Sequence, residues 1–305
     1  MVALVIEQLL NGVQLGLTLF LLSSGLTLVL GMMDTINLAQ GSLYMLGAYF
    51  AATASASTGS FWVGVGGAVA ATALVGLLLE VSLLRRLYAT DHLTQVLATF
   101  ALILVFNELV RMVWGPQALL VSVPPELARP VQILPGLAYS AYRLTIIAVA
   151  GLLAAGMFLF VHRTRLGMWV RAGASNRPMA RAMGVPIQRV FTGVFVVSAA
   201  LSAVAGALLG PIFAVQVGMG EEVLILAFVA IVIGGIGSVK GSLAGSLLVG
   251  IVDTAGRAFL PLLFGALFPP EVASNLGPTV ASVLIYLLMA VVLFVRPQGL
   301  FPVHG

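Results

Sequence analysis

Long apolar runs, separated by short polar stretches, dominate this 305-residue chain. A helix needs about 20 residues to cross the hydrocarbon core of a bilayer. Backbone groups in hydrocarbon must be satisfied within their own segment and the alternation of a β-barrel is absent, so we expect helices. The nine predicted segments are Leu4–Met33, Ile36–Ser57, Trp62–Leu84, Leu93–Trp114, Leu144–Val161, Val190–Val217, Val223–Ile236, Leu243–Phe268 and Val280–Val295. The pattern predicts an all-α polytopic membrane protein, with one transmembrane domain over residues 1–305.

Composition agrees with this prediction. Charged residues make up 8% of the chain and hydrophobic residues 61%, whereas soluble domains carry about 25% charged residues. The net charge of +4 comes from cations beside apolar runs, so we expect membrane lipid and not nucleic acid as a partner. The chain has no cysteine and three scattered histidines, a composition that predicts neither a disulfide nor a metal centre.

Basic clusters predict the topology. Arg85 with Arg86, the loop 162–189 and Arg296 would all face the cytoplasm under the positive-inside rule. Two and then four predicted segments separate these clusters, so the parity is consistent. The prediction is an N-terminus outside and a C-terminus in the cytoplasm.

Two connections are long enough to carry a function. The Pro-rich connection at about 115–143 is predicted to be an ordered external loop with a short interfacial helix. It is either a docking surface for an extracytoplasmic partner or a simple tether. The loop at about 162–189 holds six of the fourteen Lys and Arg residues and is the predicted cytoplasmic coupling loop.

Polar residues between the first two predicted segments recur at a spacing of three, namely Asp34, Asn37 and Gln40. They form either a polar lining at the cytoplasmic mouth of a pathway or a solvated turn that caps the next helix. We expect Asn37 and Gln40 to line the pathway.

Glycines are the second candidate lining. The predicted segment Val223–Ile236 would be only about 21 Å long as a helix, and the Gly-rich stretch 234–241 follows it. Irregular backbone at membrane depth needs protein or a water-filled cavity around it. Gly234, Gly235 and Gly237 therefore either line a pathway or form a tight surface turn. Small residues at a spacing of four, such as Gly12 with Gly16, predict close helix packing.

Ionisable residues inside apolar runs are costly unless they are paired. Glu108 with Arg111, and Asp253 with Arg257, have spacings that let each pair meet on one helix face. We expect internal neutralisation for both pairs. Glu80 is predicted to reach the membrane interface.

Motifs for catalysis are absent from the sequence. A Walker A loop needs Lys after Gly, and the single lysine, Lys240, follows Val239. G-x-S-x-G, H-E-x-x-H and G-x-G-x-x-G do not occur either. The prediction is no enzyme and no cofactor, but solute transport driven by an ion gradient or by another subunit.

Within the basic loop, Asn176-Arg177-Pro178 precedes a predicted short helix that ends at Gly184. Such a helix at the cytoplasmic face either presents a knob to an ATPase or anchors the chain in the lipid interface through its arginines. Composition alone does not separate these two roles.

Four stretches together resemble a known family: residues 11–49, 171–185 (RAGASNRPMARAMGV), 230–254 (AIVIGGIGSVKGSLAGSLLVGIVDT) and 296–301 (RPQGLF). They are similar to the H-type permease subunits of bacterial branched-chain amino acid ABC importers. The resemblance implies a location in the bacterial inner (plasma) membrane. The resemblance implies a second homologous permease, two cytoplasmic ATP-binding subunits and an extracytoplasmic solute-binding protein as partners. It also implies a coupling role for eight residues: Arg171, Asn176, Arg177, Pro178, Met179, Arg181, Met183 and Gly184.

The resemblance has limits. Where this family often has I-N-F-A-H-G, Leu38 and Gln40 replace the Phe and His. Similar permeases serve urea and short amides, so the solute is a branched-chain amino acid or a related small polar molecule. The alternative function is a stand-alone, ion-gradient-driven transporter or channel, which would need an essential buried carboxylate such as Asp253 or Glu108.

Overall fold

The computed structural model describes residues 2–33, 35–88, 90–267 and 269–301. Over these residues, nine long helices coincide with the nine predicted segments, and three shorter helices lie among them. In chain order they are α1 (Val2–Met33), α2 (Gln40–Thr58), α3 (Phe61–Leu79), α4 (Arg85–Leu87), α5 (His92–Trp114), α6 (Ala141–Arg163), α7 (Arg165–Ser175), α8 (Arg177–Ala182), α9 (Ile187–Leu209), α10 (Met219–Gly234), α11 (Val239–Leu267) and α12 (Pro270–Val295).

Within the described residues, seven helices are long and apolar enough to cross a membrane. They are α1, Phe61–Leu87, α5, α6, α9, α11 and Asn275–Val295. Helix α2 is rich in Gly, Ala, Ser and Thr, and α10 has 16 residues, which is about 24 Å of helix. The prediction of an all-α polytopic membrane protein is confirmed. A helix lies in each of the nine predicted segments, although α9 ends at Leu209 and not at Val217. The number of crossings and the sides of the termini stay predictions.

The chain divides into two compact units, each assembled from separate stretches of sequence. The first unit comprises Met1–Phe20, Pro125–Gly151 and Leu226–Gly305, and the second comprises Leu21–Pro124 and Leu152–Ile225. Helix α1 therefore contributes its first part to one unit and its last part to the other.

Glycines let the helices of each unit approach closely. In the second unit, a Cβ on Gly47 of α2 would overlap Ala203 of α9, and one on Gly206 would overlap the Tyr44 carbonyl. In the first unit, a Cβ on Gly250 of α11 would overlap the backbone of α1 at Gly12 and Gly16. Without a Cβ at these positions, the helix backbones pack against each other directly. The packing prediction for Gly12 and Gly16 is confirmed.

The Pro-rich connection differs from its prediction. Instead of an interfacial helix, its described residues form a three-residue 3-10 turn (Pro125–Leu127) and an antiparallel hairpin of β1 (Pro130–Leu134) and β2 (Leu137–Ser140). Gly136 has φ +86° in the connecting turn, a conformation that favours glycine. Tyr139 of β2 donates a hydrogen bond of 2.9 Å to Asn11 Oδ1 of α1. The alternating residues on either side of Pro135-Gly136 are the signal for this hairpin.

Candidate functional site

The coupling segment, residues 171–184, contains the short helix that the sequence predicts. Helix α8 begins at Arg177, with Pro178 in its first turn, and Asn176 Oδ1 accepts a hydrogen bond of 2.9 Å from the Met179 amide. Gly184 follows the helix with φ +85°. The asparagine cap, the early proline and the terminal glycine explain both ends of α8.

Helix α7 precedes α8, and the predictions from sequence do not include it. Its cap is Thr164, whose Oγ1 accepts a hydrogen bond of 3.0 Å from the Gly167 amide. The available signal is this threonine ahead of Leu166 and Val170, which recur at helical spacing. Arg171, in the middle of α7, donates through Nη1 to the Val161 carbonyl near the end of α6. Arg171 therefore has a partner within the chain itself.

Two exposed methionines lie at the surface of the coupling segment. Met179 and Met183 are 60% and 79% exposed, although the surrounding connection is rich in arginine. Methionine is flexible and polarisable, and it is frequent on surfaces that bind other proteins. Exposed methionines on a short, capped helix are suited to docking into a hydrophobic groove.

The inner face of α8 contacts the C-terminal end of α1. Arg177 Nε donates a hydrogen bond of 2.8 Å to the Met32 carbonyl, and its guanidinium lies 5.8 Å from the centre of the Phe191 ring. The Met32 side chain lies close to Gly173 of α7. One face of α8 is therefore exposed, while the other is attached to the rest of the second compact unit.

Beside α8 lies an open groove of about 930 Å³. The described residues that line it are Arg177, Pro178, Arg181, Ala182, Val185, Pro186, Ile187, Gln188, Arg189 and Phe191. Three of these are arginines and none is acidic. The groove combines an apolar wall with a positive rim.

Asn37 and Gln40 form a buried polar cluster in the second unit. Gln40 is 0% exposed, and its Nε2 lies 3.1 Å from the Ser198 carbonyl, 2.7 Å from Ser198 Oγ and 2.5 Å from Ser202 Oγ on α9. Asn37 Oδ1 accepts a hydrogen bond of 3.1 Å from the Ala39 amide. Gln40 Oε1 and Asn37 Nδ2 have no hydrogen-bond partner among the described residues. Asp34 lies outside the described residues.

Gly234, Gly235 and Gly237 lie in the first unit, at the connection between the end of α10 and the start of α11. A Cβ on Gly234 would overlap the Gly241 carbonyl, and Gly235 and Gly237 have φ +108° and +83°. The C-terminal segment 298–301 closes this break, since the Leu300 and Phe301 amides donate to the Ile233 and Gly234 carbonyls, each at 2.9 Å. The two candidate linings thus belong to different compact units.

Two predictions about ionisable residues are confirmed and one is wrong. Arg111 Nη1 lies 2.9 Å from Glu108 Oε1, and Arg257 Nε lies 2.8 Å from Asp253 Oδ1. Glu80, predicted to reach the interface, is 0% exposed.

Glu80 is buried because α9 provides a partner for it. Its Oε2 accepts hydrogen bonds from Thr192 Oγ1 at 2.8 Å and from Arg85 Nη2 at 3.3 Å. Thr192 is 112 residues away in the chain, so no local pattern could indicate the contact. Among the described residues, no group of three or more His, Asp or Glu could hold a metal ion.

The long apolar helices and the exposed, arginine-bordered helix α8 define a polytopic membrane protein with a surface suited to a partner subunit. Residues 8–293 match the family model described as "Branched-chain amino acid transport system / permease component", and the chain belongs to this family. The family is one of transport permeases and not of enzymes. The resemblance seen in the sequence is confirmed, and the chain is a multi-pass protein of the inner membrane.

Curated relatives align over almost the whole chain. The high-affinity branched-chain amino acid transport system permease protein BraD of Pseudomonas aeruginosa is 29% identical over 97% of this chain and 95% of its own. The corresponding LivH protein of Escherichia coli K12 is 28% identical over 97% of this chain and 94% of its own. A probable LivH protein of Methanocaldococcus jannaschii is 26% identical over 92% of this chain and 88% of its own. No solved structure matches.

Proposed function

We propose that this chain is the membrane-spanning permease of an ABC importer that carries branched-chain amino acids, or a related small polar solute, into the cell. The observation that carries the proposal is the family match over residues 8–293. The BraD and LivH relatives are named as permeases of high-affinity branched-chain amino acid transport systems, and they align with nearly all of this chain.

Energy for transport comes from partner subunits. The sequence has no Walker A loop, so two cytoplasmic ATP-binding subunits hydrolyse the ATP. A second homologous permease completes the membrane pathway, and an extracytoplasmic solute-binding protein delivers the solute. Most of the affinity then resides in the binding protein, and the permease provides a transient path with weak selectivity.

The topology has nine crossings, with the N-terminus outside and the C-terminus in the cytoplasm, and residues 1–305 act as one transmembrane domain. Helices α2 and α10 complete the nine; their modest apolarity or length is tolerable where other protein surrounds them. The connection 115–143 then lies outside, where it can meet the binding protein. The loop 162–189 lies in the cytoplasm.

The coupling segment transmits the movement of the ATP-binding subunits. Met179 and Met183 dock into an apolar groove of an ATP-binding subunit, with Arg181 beside them. Asn176, Pro178 and Gly184 fix the ends of α8, while Arg171 and Arg177 attach the segment to the permease. The exposure of both methionines supports this role.

The path is lined at two places, by Asn37 with Gln40 and by Gly234, Gly235 and Gly237. The unpartnered Gln40 Oε1 and Asn37 Nδ2 support a polar lining at the first place. The break between α10 and α11 supports the second.

A gradient-driven transporter would need a free buried carboxylate. Of the two candidates, Asp253 lies 2.8 Å from Arg257, and Glu108 is exposed and lies 2.9 Å from Arg111. Their pairing favours the importer over this alternative.

Reconstitution tests the proposal. Proteoliposomes are prepared with this chain, its ATP-binding subunits, the second permease and the binding protein, and uptake of radiolabelled leucine is measured as each component is omitted. We expect uptake only from the complete set with ATP. Competition by unlabelled valine, urea and short amides then defines the solute. Uptake by this chain alone would contradict the proposal.

A double substitution tests the docking surface. Met179→Asp with Met183→Asp replaces two exposed apolar side chains, one in α8 and one directly after it, by charged ones. We expect the ATP-binding subunits to be lost on co-purification and uptake to fall to background. If assembly and uptake are both retained, the coupling segment is assigned wrongly.

A further inference from the structure

Helix α1 ends at a point where its carbonyls need partners from elsewhere. The last four carbonyls of an α-helix have no partner within the helix, and the negative end of the helix dipole lies there. Thr35 Oγ1 donates a hydrogen bond of 2.9 Å to the Met33 carbonyl. Arg177 Nε donates to the Met32 carbonyl at 2.8 Å. A cation from α8 therefore caps α1, across 145 residues of sequence.

The side chain of Met32 strengthens this attachment. Met32 is buried, and a Cβ on Gly173 of α7 would lie 2.9 Å from its Cε. Glycine at position 173 thus leaves the room that Met32 occupies. The coupling segment holds the end of α1 by a charged hydrogen bond on one side and by close packing on the other.

The connection between α1 and α2 leads from this end to the polar cluster. Beyond Met33 its described residues are packed: Thr35, Asn37 and Ala39 are each 1% exposed. Thr99 Oγ1 lies 3.5 Å from the Ile36 carbonyl, and Asn37 Oδ1 accepts a hydrogen bond from the Ala39 amide. Helix α2 then starts at Gln40, whose amide is attached to Ser198 and Ser202 of α9. Because this turn is packed, a displacement of the α1 end would be passed through it to the start of α2.

We propose that Arg177 is a positioning residue that ties the coupling segment to the end of α1, so that displacement of α8 reaches the α1–α2 connection and Gln40. The proposal deepens the coupling role given above and rests on it. The two faces of α8 then have separate tasks: Met179 and Met183 bind the partner, and Arg177 transmits the movement inward.

Cysteine labelling tests the tie in the chain by itself, because the native sequence has no cysteine. Ser42 and Thr72 are both buried, and neither hydroxyl has a hydrogen-bond partner among the described residues. Ser42→Cys, in the first turn of α2, reports on the α1–α2 connection, and Thr72→Cys, in α3, reports on the rest of the second unit. The rate of reaction with a maleimide in membrane vesicles is measured for each reporter.

Arg177→Ala should raise labelling of the Ser42→Cys reporter about tenfold, since a hydrogen bond from a charged donor is lost, and leave the Thr72→Cys reporter unchanged. Arg177→Lys, which keeps a cationic donor, should lie between. Arg165→Ala removes an exposed arginine at the start of α7 and should change neither rate. Unchanged labelling in Arg177→Ala overturns the proposal. Equal increases at both reporters also overturn it, because they show general loosening of the unit.

Reconstituted complexes give a second readout. With Arg177→Ala we expect the ATP-binding subunits to co-purify and to hydrolyse ATP, while leucine uptake per ATP falls about tenfold. Loss of co-purification would make Arg177 a docking residue and overturn the proposal. If Met179→Asp with Met183→Asp leaves assembly intact, the coupling role itself fails, whereas the labelling result on the chain alone still stands.

Discussion

Two helix breaks in this protein are closed by opposite means. Between α1 and α2, polar side chains satisfy backbone groups of the break: Arg177 donates to the Met32 carbonyl, and Asn37 Oδ1 accepts from the Ala39 amide. Gln40 then fixes the start of α2 to α9. Between α10 and α11, two glycines lie against each other: a Cβ on Gly234 would overlap the Gly241 carbonyl. The two backbone segments are therefore in direct contact. In a membrane protein, backbone groups freed by a break must find partners within the protein. Side chains meet this need in one place, and the backbone amides of Leu300 and Phe301 meet it in the other.

The difference has consequences for mutation. A break closed by side chains can lose hydrogen bonds one at a time. A break closed by backbone contact has no room for even one added methyl group, so its tolerance is lower. The C-terminal segment 298–301 makes the second break more rigid by donating two backbone hydrogen bonds to it.

The largest effect is expected at Gly234. Gly234→Ala adds a Cβ that overlaps the Gly241 carbonyl, so the α10–α11 crossing must open, at a cost of about 3 kcal/mol. The thermal unfolding midpoint in detergent should fall by many degrees. Gly265→Ala, in the same unit at a position with nothing within 4 Å, is the matched control and should have little effect. Equal stability of both variants would contradict direct backbone packing at this break.

A smaller effect is expected at Gln40. Gln40→Met keeps the volume but removes the hydrogen bonds to α9, which should destabilise the protein by about 2 kcal/mol. Part of the loss is offset because the unpartnered Oε1 disappears as well. Gln188→Met, at an exposed position, provides the comparison in the same thermal unfolding assay. A Gln40→Met variant as stable as the parent would show that the amide bonds do not fix the start of α2 to α9.

Truncation tests the C-terminal closure. Ending the chain after Arg296 removes the hydrogen bonds from Leu300 and Phe301, each contributing about 1 kcal/mol, whereas ending it after Phe301 keeps both. We expect only the shorter chain to have a lowered unfolding midpoint. In the shorter chain, Gly234→Ala should also cost less than in the full chain, because the break is already loosened. Identical midpoints for the two truncations would show that the C-terminal segment does not stabilise this break.

The smallest effect is expected at the start of α5, far from either break in sequence. Asp91 caps this helix, and the hydrogen bonds from Thr94 lower the pKa of its carboxyl. A lowered folded-state pKa means that the cap stabilises the helix above the ordinary carboxyl pKa and loses this effect as the pH falls through the lowered value. The unfolding midpoint of the parent should therefore drop slightly more than that of Asp91→Asn between pH 5 and pH 3, values that bracket an ordinary aspartate pKa of about 3.9. Parallel pH profiles would contradict the cap.

Local patterns predicted much of the fold. Apolar runs of membrane length predicted the nine long helices. The capping and terminating residues Asn176, Pro178 and Gly184 predicted α8, because each acts on backbone only a few residues away. The spacings of three and four also paired Glu108 with Arg111 and Asp253 with Arg257. These features depend on residues that are close together in the sequence, so they can be predicted from it.

Contacts between distant residues were beyond such patterns. The Arg177 bond to Met32, the Glu80 bond to Thr192 and the closure of the Gly234 break by residues 298–301 all join remote parts of the chain. The hairpin at 130–140 was missed for another reason, since proline-rich composition led to the expectation of a loop with a helix. In the candidate site, the residues were therefore predictable and their partners were not.

The source of energy is the most direct test of the importer function. Leucine uptake is measured in one preparation of proteoliposomes holding the complete set of subunits, first with ATP, then with a non-hydrolysable analogue, and then with ATP plus ionophores that collapse ion gradients. An ATP-driven importer predicts uptake with ATP, no uptake with the analogue and full uptake with ATP plus ionophores. Uptake that survives without hydrolysis and disappears with the ionophores would contradict it.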